Sequence, residues 1–171
     1  MTTPTGDAGV TRTESLKALI LRVQAAKEAD RALDEAIMAA FYVRDRRHIG
    51  ARDYYTNERV TEDVWADPRT DRFVTNQVFE FTAEPRHHER LVGFLPGDCW
   101  QISTRSPDPT TSGFSSRAWA KIAPCLGNAE GQMVGARDCM APTVALALTA
   151  AALMIHVSAL IARSEEADHA E

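Results

Sequence analysis

The chain has little cysteine, no excess of positive charge and few apolar residues in its opening segment, and each shortage bears on what is expected of the protein. The three cysteines, Cys99, Cys125 and Cys139, are an odd number. Their spacing suits neither a paired disulfide framework nor a CxxC metal knuckle, so three reduced thiols in a cytoplasm are expected. Lysine and arginine total 19 against 24 aspartates and glutamates, a net charge of -5. Phosphate backbones and anionic lipid headgroups therefore feel no overall attraction, which disfavours generic nucleic-acid binding. The opening "MTTPTGDAGVTRTES" carries no apolar segment of the kind that directs secretion. A Walker-type loop, GxGxxG after a strand, GxSxG and HExxH are all lacking. No enzyme class, metal or cofactor is expected on that basis.

The 171 residues suit a single domain around one core. Residues 1–12 are small and polar and are expected to be a disordered lead-in, 13–164 to be the domain, and 165–171 a polar tail. Thr11 and Glu14 have capping-box spacing ahead of Leu16, Leu19, Ile20 and Val23, which predicts a first helix beginning at Thr11. Asp30 is a candidate cap for a second, in which Leu33, Ile37, Ala40 and Phe41 continue the apolar stripe. From Arg44 to Arg72 the chain is charged and poor in apolar residues, which predicts loops and short elements. After it "RFVTNQVFEF" suits a strand and "RLVGFL" ends a short helix. "CWQIST" and "RAWAKIA" read as an antiparallel pair across the loop "RSPDPTTSGFSS", and an irregular connection or short edge strand is expected around "GQMVGAR".

"APTVALALTAAALMIHVSALIA", Ala141–Ala162, has no Asp, Glu, Lys or Arg and is long enough to cross a hydrocarbon layer. On a helical wheel Ala145, Thr149, Ala152, His156, Ala159 and Arg163 form one narrow line of small and polar groups between bulky residues. Such a helix is either a membrane span or buried on several faces. Its flanks lack an aromatic belt and a clear basic asymmetry, so a buried core helix is expected, with no membrane partner.

Several blocks resemble small bacteriophage and prophage proteins of the phage ABA sandwich domain family. "LKALILRV" and "DRALDEAI" resemble its opening helix, "LPGDCWQIST" its Pro-Gly-Trp strand, "RAWAKI" the strand after it, and "APTVALALTAAAL" its C-terminal helix, with Pro142 and Thr143 reversed in order. The resemblance implies an α+β fold, an α/β/α sandwich in which N-terminal helices and the alanine-rich C-terminal helix pack a small antiparallel sheet. Residues 44–90 exceed the family's usual link and form a candidate inserted element. The family carries no settled biochemical role, but a phage origin implies work in the cytoplasm of a bacterial host.

The chemical candidates are few. His87 and His88, with Glu84 and Glu89, are the densest set of metal-ligand types, yet adjacent side chains point apart and a solvated surface segment is expected. His156 suits a packed core histidine better than a proton carrier. Cys99, beside Asp98 and Trp100, lacks the base that a thiol nucleophile needs. Trp100, Arg105, Arg117 and Trp119 are the candidate ligand-binding set, since arginine clamps phosphate and an indole stacks on a base, which suits a nucleotide-like molecule. Tyr54, Tyr55 and Arg59 are a candidate partner surface. The expectation is a non-enzymatic phage accessory protein, able to form a homo-oligomer, that binds a host protein or sequesters a nucleotide-derived immune signal to antagonise host defence. Alternatives are a structural or assembly protein of the virion and an unrecognised small hydrolase or transferase.

Overall fold

The computed structural model describes residues 6–108, 110 and 116–169. Helix and strand occupy 43% and 27% of the chain, a mixed architecture with two small antiparallel sheets. Residues 1–5 of the expected disordered lead-in, most of the centre of the loop after Arg105, and the end of the expected polar tail lie outside the described residues.

Helix α1, Gly6–Ala25, starts five residues before the expected Thr11 cap, and it buries Leu16, Leu19 and Val23. Helix α2, Arg31–Phe41, begins where the sequence predicts: the Asp30 carboxylate accepts the Leu33 N–H at 3.0 Å. Leu33, Ile37, Met38 and Phe41 face the core, and the chain turns extended at Tyr42. The buried Asp34 carboxylate accepts the Thr82 N–H at 2.9 Å, and Thr82 Oγ1 accepts the Asp30 N–H at 2.9 Å. Residues from Thr82 onward are thus latched to the start of α2. Burial pushes the Asp34 carboxyl upward, against the lowering effect of those bonds.

The charged region is not loops, as expected, but an antiparallel sheet. Strands β1, Val43–Arg52, β2, Arg59–Asp67, and β3, Arg72–Thr75, pair in that order. Backbone pairing needs no apolar alternation where a hairpin has water on both faces. Val64, Trp65 and Ala66 supply burial at its base. The strand expected over "RFVTNQVFEF" is confined to its first four residues. Helix α3, His88–Val92, follows and places Leu91 in the core.

Strands β4, Trp100–Arg105, and β5, Ala118–Pro124, form the expected pair, and β6, Arg137–Ala141, adds a third strand beside β5. The edge strand expected around "GQMVGAR" is β6, which begins only at its last residue, Arg137. Helix α4, Ala129–Val134, occupies most of that stretch because Asn128 caps that helix, its Oδ1 accepting the Gly131 N–H at 2.8 Å. Asn128 Nδ2 also donates to the Cys99 carbonyl at 2.9 Å. Gly97 has φ +76, and a Cβ there would stand 1.9 Å from Asn128 Oδ1, so glycine is required on both counts.

The expected set of three reduced thiols is corrected by a Cys99–Cys125 disulfide, with Cα atoms 5.4 Å apart. The ladder sets Trp100 opposite Pro124. One step further the Cys125 N–H donates to the Cys99 carbonyl at 3.1 Å, so the strand register, and not sequence spacing, brings the two sulfurs together. Cys139 stays a free, buried thiol.

Helix α5, Val144–His169, packs on β5 and β6 and against α1 and α3. Thr143 caps it, Oγ1 accepting the Leu146 N–H at 3.2 Å. Of its most apolar window 72% is buried inside the protein, which accounts for a helix that is apolar nearly all round. Its polar line meets another part of the same chain. Thr149 Oγ1 donates to the Phe81 carbonyl at 2.9 Å, and His156 Nε2 lies 3.0 Å from the Leu91 carbonyl. A carbonyl only accepts, so Nε2 carries the proton. The expected polar tail continues this helix as far as His169.

Candidate interaction surface

The β1–β2 hairpin is an arm whose tip is locked by local chemistry. Asp53 Oδ1 accepts the N–H groups of Tyr55 and Thr56 at 2.9 and 2.8 Å. The Asp53 N–H donates to the Glu58 carbonyl and the Asn57 N–H to the Asp53 carbonyl, both at 2.9 Å. Asn57 takes the left-handed conformation, φ 57, that asparagine tolerates better than most residues. The two backbone donors hold the Asp53 carboxyl below the usual carboxylate range. On this turn Tyr54 and Tyr55 are 92% and 91% exposed, with ring centroids 5.3 Å apart and planes at 88°. Arg59 lies directly opposite Arg52, and the Arg52 guanidinium donates to the Asn57 carbonyl at 2.9 Å. The structure therefore brings Tyr54, Tyr55 and Arg59 to one end of the arm.

The base of the arm is fixed to the core. Tyr42 meets Phe94 edge to face, with centroids 5.1 Å apart, and burial pushes its phenol up to about 12. Arg69 pairs with Asp67 at 2.7 Å, donates to the Gly93 carbonyl at 2.7 Å, and lies over the Phe94 ring at 4.0 Å. The Arg69 guanidinium holds the Asp67 carboxyl low. Trp65 is only 9% exposed. The Arg44 guanidinium stands 6.0 Å from the Trp65 ring and 3.2 Å from Asp63.

The set Trp100, Arg105, Arg117 and Trp119 does not converge. Trp100 shares a face with Ile102 and packs on the core, its indole N–H donating to the Pro96 carbonyl at 3.1 Å. Arg105 and Trp119 are cross-strand partners on the opposite face. There the Trp119 indole N–H donates to Asp138 at 3.1 Å. Arg117 is exposed just ahead of β5.

His87 and His88 are half-buried and locally engaged. His87 Nδ1 accepts the Glu80 N–H at 2.9 Å beside the Phe79 ring, and His88 Nδ1 meets the Pro85 carbonyl. Among the described residues no three His, Cys, Asp or Glu side chains are grouped to hold a metal ion. Cys99 is occupied in its disulfide. His156 is the packed histidine, with its ring 4.6 Å from Phe41, and burial lowers it to about 4.

Sequence reasoning passed over Arg44, Arg46, Arg52, Asp63 and Trp65. The sign of charge alternates over Arg44, Asp45 and Arg46, where strand reading looks for apolar residues, and "EDVW" has no period of two. No protein-family model matches the chain, and no curated protein or solved structure matches it either.

Proposed function

We propose that the chain is a non-enzymatic binding protein that engages a partner protein through the β1–β2 arm. The observation that carries this reading is the tip: two adjacent tyrosines, 92% and 91% exposed, on a turn fixed by its own hydrogen bonds. Tyrosine and arginine dominate the energetics of protein interfaces, and a preformed turn loses little conformational entropy on docking. In the setting implied by the phage resemblance, the partner is a host protein and the outcome is antagonism of host defence in the bacterial cytoplasm. The α/β/α sandwich belongs to the same proposal. The β4–β5–β6 sheet with α5 packed on one face supports its first two layers, while α1 packs on α5 and the sheet's opposite face leaves Gln101, Ser103, Arg105 and Lys121 exposed.

Replacing Tyr55 with a photo-crosslinking phenylalanine derivative tests the reading, with the same group at exposed Arg86 as control. Irradiation in producing cells is expected to yield one defined adduct from position 55 and none from position 86. No adduct at position 55, or the same adducts from both positions, would refute it.

A further inference from the structure

The arm's charges are sorted by face. Arg44, Arg46 and His48 alternate along β1 and lie opposite Trp65, Asp63 and Thr61 of β2. Directly opposed residues of an antiparallel pair share a face. An irregularity follows His48, after which Arg52 meets Arg59, and Arg59 continues the same alternation of β2. Four arginines and a histidine thus line one face, all of them exposed. Its carboxylates are already paired, Asp63 with Arg44 at 3.2 Å and Asp67, at the end of the same alternation, with Arg69 at 2.7 Å. Arg46, His48 and Arg59 have no side-chain hydrogen-bond or salt-bridge partner among the described residues.

The other face balances itself. Asp45, Arg47 and Glu62 alternate onto it. Arg47 is held by Asp45 at 2.8 Å and by Asp71, while Glu62 reaches round to Asn76 at 3.1 Å. The arginine face is also concave. A hollow of about 510 Å³ over Arg46, Thr61 and Asp63, with Glu62 at its rim, shares Arg44, Asp63 and Asn76 with a second of about 710 Å³, which runs on to α2, where Glu35 is paired with Arg31.

We infer that the arm's partner presents an acidic polypeptide segment, laid in extended form along this arginine face from the tyrosine tip toward α2. The inference rests on the arm being the contact surface and adds the partner's chemistry. Arg46 and Arg59, the two guanidiniums of this face without a side-chain partner among the described residues, suit carboxylates, because each can take a planar bidentate pair. A nucleic-acid strand fits less well. The two tyrosine rings stand nearly perpendicular, so they offer no parallel faces to successive bases. Like-charged Arg52 and Arg59 oppose each other at a cost to the hairpin, and an intervening carboxylate would relieve it.

The test uses the full chain and a fluorescent Asp/Glu-rich peptide of about ten residues, the length that lies along β1 at roughly 3.3 Å per residue. A Ser/Gly peptide and a single-stranded oligonucleotide of similar span serve as comparators. The acidic peptide is expected to bind best, to weaken as salt rises, and to weaken about tenfold or more when Arg46→Glu and Arg59→Glu are combined. Arg86→Glu, away from the arm, is expected to leave it unchanged. Tighter binding of the oligonucleotide, or indifference to both salt and charge reversal, would overturn the inference. Both reversed side chains are exposed and unpaired, and a thermal melt matching the parent checks their folding. If the Tyr55 crosslink forms and survives the double reversal, the acidic partner is refuted while the arm stands; if no crosslink forms, both readings fall.

Discussion

His156 Nε2 lies 3.0 Å from the carbonyl of Leu91, which ties the middle of α5 to α3 through a neutral, buried imidazole. Burial lowers this histidine from 6.5 to about 4, so the folded chain binds fewer protons there than the unfolded chain. Its contribution is fully present above pH 6.5 and is lost as pH falls through about 4, a change of about 3 kcal/mol at most. Asp34 works in the opposite direction. Its raised carboxyl contributes most below its ordinary value of 3.8 and loses that contribution as pH rises through its folded value. Denaturant melts across this range are expected to show a shallower pH slope for His156→Gln than for the parent, since glutamine can donate to Leu91 without titrating. Equal slopes would show that His156 is not the group responsible.

Cys99–Cys125 closes a 26-residue separation, and its reduction is expected to cost about 3 kcal/mol through the freed unfolded chain. Thiol titration of the fresh protein is expected to find one group, Cys139. It should react slowly until denaturant is added, because it is buried and desolvation raises its thiol. Three thiols in denaturant without reductant would contradict the pairing.

Asp53→Ala removes the acceptor of two backbone N–H groups, and amide exchange at Tyr55 and Thr56 is expected to quicken on the order of tenfold. Because the carboxyl is held low, the lock persists as pH falls and is lost only as pH drops through that depressed value. Unchanged exchange would mean that the tip is held by something else.

Thr149→Val deletes the hydroxyl that donates to the Phe81 carbonyl at 2.9 Å while keeping the shape of the side chain. Stranding that buried carbonyl is expected to destabilise the fold by about 1–3 kcal/mol. A variant as stable as the parent would mean that the contact between α5 and the residues ahead of α3 is held by packing alone.

What could be read from sequence followed apolar pattern and cap chemistry. The Asp30 cap and the stripe from Leu33 to Phe41 located α2, and the alternation of Trp100, Ile102 and Thr104 located β4. Composition concealed the arm, because β1 is mostly charged and exposed and the apolar residues of β2 fall together as Val64, Trp65 and Ala66 without alternating. The disulfide was hidden in a quantity that spacing does not express, the register of β4 on β5. Helix α4 was obscured by Gly131 and Gly135, which argue against helix by propensity until the Asn128 cap is considered. Of the candidate sites, the tyrosine tip was visible as "DYYTNER", whereas the arginine face exists only once Arg44, Arg46 and His48 meet β2.

Hydroxyl-radical footprinting tests the claim that the arm is the contact surface most directly, by comparing the purified chain with the chain in extract of its producing cells. Tyr54 and Tyr55, more than nine-tenths exposed, are expected to react readily when purified and to be protected in extract, while exposed Leu126 reacts alike in both. Equal reactivity of the two tyrosines in both samples would contradict the account.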